Sequence, residues 1–179
     1  MKSVLISIQP KWCHEIIGRA KTIEVRKTKP RLDTPFKVYI YCSAGSYEWR
    51  KDPWTTSYLP PNGEITNMSQ RVIGEFVCDN IFLLRPYAYD GGSADLGYRK
   101  FIQTFEGSSK DNEILSATCL SNDEMFDYIG VGNYGYGWHI SNLKIYDKPL
   151  ELSEFYNEFD EKMPITRPPQ SWCYVNELQ

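Results

Sequence analysis

Ser7-Ile8-Gln9-Pro10-Lys11-Trp12-Cys13-His14-Glu15-Ile16-Ile17-Gly18-Arg19-Ala20-Lys21-Thr22-Ile23-Glu24-Val25-Arg26 changes its hydrophobic period twice within twenty residues. It opens on the end of an alternating segment, Val4 to Gln9, in which Leu5 and Ser7 oppose Val4, Ile6 and Ile8, as in a half-buried strand. Pro10 then stands where a first helical residue tolerates proline, Trp12, Ile16 and Ile17 follow at helical spacing, and Gly18 provides a stop. From Lys21 to Lys27 the period returns to two, with Thr22, Glu24 and Arg26 on one face and Ile23 and Val25 on the other. A strand, a short helix and a charged strand thus follow within 27 residues of the start.

Further along, Phe36-Lys37-Val38-Tyr39-Ile40-Tyr41-Cys42 is rich in β-formers and reads as a strand, as does Val72 to Val77, which Ile81 to Leu84 extends. Between them, residues 45–69 keep no period and read as a long loop carrying Tyr47, Trp49, Trp54 and Tyr58. Leu96, Phe101, Ile102 and Phe105 are spaced for one helix face. Ser121-Asn122-Asp123-Glu124 is a capping box ahead of Met125, Phe126, Tyr128 and Ile129, with Gly130 closing that helix. Gly137 to Tyr146 alternates as one strand, a last short helix begins near Ser153 with Phe155 and Phe159, and the aromatic tail 161–179 docks on the body. Strands interrupted by single helices give an α+β class, a small curved sheet or barrel with helices attached, rather than regular βαβ alternation.

The 179 residues, 41% hydrophobic and 24% charged, suit one domain with its own core, 1–179. No apolar run approaches the ~20 residues of a membrane span, and the start turns polar before a secretory segment develops. A cytoplasmic protein without membrane attachment is therefore expected. Five cysteines with no CxxC pair, and only His14 and His139 beside them, give no metal-site spacing, and buried thiols are the expected state. No cofactor is indicated. Gly130-Val131-Gly132-Asn133-Tyr134-Gly135 matches GxGxxG, but a helix precedes it and a strand follows, the reverse of a dinucleotide site, so these glycines read as a turn.

Charge is unevenly spread. Residues 1–51 carry a net +7 and residues 52–179 a net −10, for −3 overall. Arg19, Lys21, Arg26, Lys27, Lys29, Arg31 and Lys37 are opposed only by Glu24 and Asp33 in their own stretch. A localised anionic partner is one reading; internal pairing with the acidic remainder is the other.

The opening stretch resembles the ASCH domain family of the PUA-like superfamily, whose signature GxKxxExR follows a Lys-Pro-type turn and a short helix. Lys21, Glu24 and Arg26 fall on its three charged positions; Arg19 replaces the first glycine, and Gln9-Pro10 stands for Lys-Pro. The resemblance continues through Tyr39-Ile40-Tyr41-Cys42-Ser43, Val72-Ile73-Gly74-Glu75-Phe76, Trp138-His139-Ile140 and Lys148-Pro149-Leu150. It implies a PUA-like β-barrel with insertions at about 45–69 and 85–120, and a cleft lined by Lys21, Glu24 and Arg26. It also implies binding of RNA or another single-stranded nucleic acid, or of a modified base or nucleoside.

A carboxylate between two cations can pair with them and accept from base amino groups. In such a site Lys27, Lys29 and Arg31 would meet phosphates at the rim, Ser43 would lie nearby, and Tyr41, Trp138 or Trp12 would stack a base. The plain alternative is an ion-pair network that closes one end of the barrel.

Two further readings stay open. A small ASCH-type amidohydrolase acting on acetylcytidine is similar in its Lys-Thr-Ile run, which would make Lys21 catalytic, although Glu24 stands in the place of that enzyme's threonine. That likeness implies a hydrolase acting on a modified nucleoside; the family resemblance separately implies a ribonuclease, in which Lys21 and Glu24, with Arg26, would cleave a phosphodiester by positioning and charge. The aromatic loop at 45–69 instead suggests a protein-interaction module.

Overall fold

The computed structural model describes residues 2–45, 68–90, 98–106, 108–158 and 160–178. In chain order the elements are β1 (Lys2–Ile8), α1 (Pro10–Ile17), β2 (Ile23–Arg26), β3 (Phe36–Cys42), β4 (Arg71–Cys78), β5 (Ile81–Asp90) and β6 (Tyr98–Thr104). Then come α2 (Ser108–Ser116), α3 (Asn122–Ile129), β7 (Gly135–His139), β8 (Ser141–Leu150), a 3-10 turn (Leu152–Glu154), β9 (Tyr156–Asn157), β10 (Asp160–Pro164) and β11 (Trp172–Asn176). Seven strands form one sheet in the order β10-β9-β11-β1-β3-β4-β8, and four form a second in the order β2-β7-β5-β6. The class is α+β, as expected, but the described strands pair as two sheets, the larger mixed and the smaller antiparallel, and close no barrel.

β1 and β3 run parallel, Val4 opposite Val38 through Ile8 opposite Cys42. Parallel neighbours need a crossover, and here it carries both α1 and β2. β1 is already paired on its other edge by β11, so β2 joins the second sheet, with Glu24 opposite Trp138 and Arg26 opposite Tyr136 on β7. That exchange makes the charged strand the edge of the second sheet, from which Arg26 Nη2 reaches the Ser7 carbonyl of β1.

Three buried clusters record the layering. Val4, Ile6, Ile8, Val38, Ile40 and Cys42 gather with Cys13 and Ile16 of α1 and with Trp138 on one face of the large sheet. Leu5, Tyr39, Tyr41, Val72, Phe155 and Val175 fill the other face. Ile23 and Val25 of β2 meet Leu84, Ile102, Ile114, Met125 and Ile129 beneath α2 and α3. β1 is therefore buried on both faces rather than half-buried, because Phe155 and its neighbours pack on the face from which Leu5 projects.

The helix expected around Phe101 and Ile102 is instead β6, paired with β5 from Leu84 opposite Thr104 to Asp90 opposite Tyr98; Leu96 lies outside the described residues. β5 does not extend β4's sheet but pairs with β7 in the second one. The single strand expected over 137–146 divides at Ile140 into β7 and β8, which lie in different sheets. The helix expected near Ser153 is only a 3-10 turn, although it brings Phe155 to full burial; Phe159 lies outside the described residues. The capping box is present, Ser121 Oγ accepting from the Glu124 amide while Glu124 receives the Ser121 N–H. Gly130 and Gly132 take φ of 87° and 79°, the turn role expected of them. The tail docks as a strand: β11 pairs antiparallel with β1, Ser3 opposite Val175 and Ile6 opposite Trp172.

Candidate nucleic-acid site

The α1–β2 turn builds the site. The Gly18 amide closes α1 onto the His14 carbonyl, and the left-handed residue is the next one, Arg19, at φ 60°. The amides of Ala20 and Lys21 both donate to the Glu15 carbonyl, folding the chain back under the helix. This turn delivers Lys21 into the interior at 2% exposure, with Glu24 at 6% and Arg26 at 8%.

Glu24 joins the two cations. Its Oε1 is 3.0 Å from Arg26 Nη2, and its Oε2 is 3.4 Å from Lys21 Nζ. Each cation also donates to a backbone carbonyl: Lys21 Nζ to Thr118 O at 2.6 Å, and Arg26 Nη2 to Ser7 O at 2.6 Å. The Trp12 ring lies 5.3 Å from Lys21 Nζ, in cation–π range. Two buried N–H donors in this neighbourhood, Arg26 Nε and Trp138 Nε1, have no partner among the described residues. The thiol of Cys13 is pushed well up by burial, then by its neighbour Cys42 and by Glu24, against the opposing charge of Arg26.

Lys21, Glu24 and Arg26 are thus brought together, and both carbonyl anchors, Thr118 and Ser7, escaped the sequence reading because a backbone acceptor carries no side-chain signature. Lys27, Lys29 and Arg31 lie past the end of β2, in irregular chain, as exposed residues; the strand expected over 21–27 is shorter, Ile23–Arg26. Ser43 is partly exposed just past β3, its amide bound to the Ile8 carbonyl.

The expected stacking residues divide. Trp12 is beside Lys21. Trp138 is fully buried, edge-on to Phe36 at 5.8 Å and tilted against Trp172 at 6.0 Å, so it is core. Tyr41 is 4% exposed and lies in the cluster on the opposite face of the large sheet from Cys13 and Ile40. Neither ring presents a free face. Tyr47, Trp49, Trp54 and Tyr58 lie outside the described residues.

Glu75 of β4 accepts from Tyr146 at 2.6 Å and lies 3.8 Å from Lys37, so this carboxylate is engaged elsewhere. His139, read as an ordinary strand residue, has a partner the sequence did not announce: its Nδ1 lies 2.6 Å from Asp79 Oδ1. All five cysteines are free, with Cys13, Cys42 and Cys78 buried. Among the described residues no helix is long and apolar enough to cross a membrane.

The architecture is that of the ASCH domain. Its solved likenesses include ASCH from Zymomonas mobilis, at 15% identity and a TM-score of 0.57 over 98% of this chain and 88% of that one. Two point variants of the same Zymomonas mobilis protein match similarly, at 16% identity and TM-score 0.57 over 99% and 92% of the chains, and at 15% and 0.56 over 98% and 89%. At such identities the likeness is one of fold. No family model and no curated protein matches the chain.

Proposed function

We propose that this chain is a nucleic-acid-binding domain that takes RNA, or a modified base within it, at Lys21, Glu24 and Arg26, with Lys27, Lys29 and Arg31 meeting phosphates at the rim. The observation that carries the reading is the abrupt change along the segment from Lys21 to Arg31, across the end of β2. Lys21 and Arg26 share the single carboxylate of Glu24, which leaves the buried cluster one positive charge, whereas the next three cations pair with no carboxylate among the described residues.

Burying three charged groups costs more than burying apolar ones of the same size, so such a network is poorly explained by stability alone. It suits recognition: Glu24 can accept from a base amino group, and the unpartnered Arg26 Nε is a donor for a base carbonyl or phosphate oxygen. The exposed cations supply the non-specific attraction that phosphates require.

The test is a titration of single-stranded and duplex RNA and DNA at low and moderate salt. Binding should weaken steeply with salt, and Lys27→Gln/Lys29→Gln should reduce the log–log salt slope by roughly 2, about one per phosphate contact. Arg26→Gln, in a protein verified as folded, should lose base preference while keeping most of that slope. Salt-independent binding, or none, would overturn the proposal, and modified nucleosides would then be the ligands to titrate against Lys21 variants for turnover.

A further inference from the structure

Beyond the charged triad, the segment 27–31 is lined by aromatic rings drawn from three distant parts of the chain. Lys27 Nζ lies 5.1 Å from the Tyr128 ring centroid on α3, and Lys29 Nζ lies 5.8 Å from that of Tyr136 on β7. From β11, Trp172 Nε1 donates to Thr28 Oγ1 at 3.0 Å and Tyr174 Oη accepts from the Arg31 amide at 2.7 Å. Pro30 between them is buried. Every other residue of the segment therefore meets a ring or its polar tip. Tyr128 is 39% exposed, and Tyr136, Trp172 and Tyr174 are half-buried, so their edges reach solvent beside the cations.

Asp33, exposed two residues past Arg31, forms no ion pair with these cations, and the acids beside the rings are engaged elsewhere. Lys100 holds Asp127 at 3.1 Å and Asp123 at 3.4 Å, and Lys2 holds Glu158 at 2.5 Å. Lys27, Lys29 and Arg31 are left facing outward, three like charges two residues apart with rings between them. Surface cation–π pairs alone give little in return for gathering like charges. A groove in which cations track a phosphate backbone and rings receive unpaired bases uses the same arrangement throughout, and a duplex, whose bases are already stacked, cannot use the rings.

We infer that Lys27–Arg31 with Tyr128, Tyr136 and Trp172 forms a second subsite, a track for a single-stranded segment of several nucleotides flanking the base held at the triad. It rests on the reading above, and it makes the ligand a strand rather than a free nucleoside. It also assigns stacking to rings other than Trp138 and Tyr41.

The experiment measures affinity for an oligouridylate of about ten nucleotides, within the site sizes such grooves take, for its DNA counterpart and for a duplex of equal length. Wild type is compared with Tyr128→Leu/Tyr136→Leu and with Lys21→Met, each verified as folded by circular dichroism. The ring variant should bind the single strand roughly 5- to 100-fold more weakly, with its salt slope unchanged and duplex affinity unaltered. Equal RNA and DNA affinity would assign the track to the strand in general, and an RNA preference would add a contact to the 2′-hydroxyl. Wild-type affinity in the ring variant, with binding lost in Lys21→Met, overturns the track and leaves the triad. Binding lost in the ring variant but retained in Lys21→Met keeps the track and overturns the triad. Duplex bound as tightly as single strand overturns the track, and no binding to any of the three overturns both.

Discussion

Lys21 Nζ donates to the Thr118 carbonyl at 2.6 Å, a bond that spans 97 positions of sequence and ties the charged strand to the turn after α2. Because Thr118 also hydrogen-bonds the Leu115 carbonyl and contacts Met125 Sδ, it links Lys21 to the core beneath α2 and α3. The site is therefore held from two sides, by this turn and, through Arg26 and the Ser7 carbonyl, by the first strand.

Removing one member of the triad should cost more than removing two. Lys21→Met leaves the Glu24 carboxylate with one cation and the Thr118 carbonyl without this donor, and should lower unfolding stability by about 3 kcal/mol, the usual scale for a broken buried pair. Adding Glu24→Gln to Lys21→Met should recover part of that loss, a coupling read from a double-mutant cycle in urea. Purely additive losses would mean that the two groups do not act as a pair.

The α1–β2 turn offers a substitution in the opposite direction. Arg19 holds a left-handed φ of 60°, which costs an L residue about 1–2 kcal/mol relative to glycine, while glycine gives back part of that through its freer unfolded chain. Arg19→Gly should stabilise the protein by about 0.5–1 kcal/mol in urea titration. Arg19→Val, β-branched and worse suited to this conformation, should destabilise it.

How much of this was legible in the sequence follows from where the information sits. The period-two charges of β2 and the matching apolar Ile23 and Val25 locate that strand, though it runs Ile23–Arg26 rather than 21–27, because its two faces meet chemically different surroundings: the triad on one side, and Leu84 and Met125 on the other. β6 was misread because Phe101, Ile102 and Phe105 fit a helical face over so short a run; pairing with β5 decides the matter, and pairing is not written in local spacing. The break at Ile140 is silent for a related reason. Alternation runs through it, and only the change of sheet, with Asn142 at φ 48° just beyond, separates β7 from β8. Trp138 could be read as a stacking platform or as core, and burial between Phe36 and Trp172 makes it core. The rings around Lys27–Arg31 went unseen because they come from residues 128, 136, 172 and 174, which only the tertiary fold assembles.

The Asp79–His139 pair predicts an acid response. Partial burial works to raise the Asp79 carboxyl, but the hydrogen bond and charge of His139, with a lesser bond from Ser141, outweigh it and hold the carboxyl below 3.8. A carboxylate depressed in the folded state contributes stability above its unfolded pKa and loses it as pH falls through the folded value. The Asp79 midpoint, followed by NMR, should therefore lie below 3.8 and move upward in His139→Ala, whose stability should also fall less between neutral and strongly acidic pH. An unmoved midpoint would refute the pairing.

Thiol chemistry should report burial residue by residue. Desolvation pushes Cys78 up to about 12 and Cys173 up to about 11, and Cys13 is raised as well. Since the thiolate is the reactive form, iodoacetamide at pH 8 should label these three slowly in the native protein and rapidly in urea. Fast native labelling of Cys78 would mean that the β4–β5 turn opens readily.

The C-terminal strand should be indispensable to the fold. β11 supplies β1 with its second neighbour, and Val175 is fully buried against Leu5 and Phe155. The approach to β11 is fastened too: the Ser7 hydroxyl donates to Pro169 O at 2.6 Å and the Ser7 amide to Ser171 O at 2.9 Å. The Leu178 amide closes onto Tyr39 Oη at 2.9 Å, and Glu177 meets Lys37 at 2.8 Å. Removing residues 170–179 would expose the β1 edge and its apolar face together, a combination that favours intermolecular pairing. The truncated chain should be insoluble or lack a cooperative transition in circular dichroism. Val175→Ala, which deletes only buried methyl groups, should remain soluble and fold at a cost of about 1–3 kcal/mol. A truncated chain with wild-type melting behaviour would mean that β1 is completed without β11.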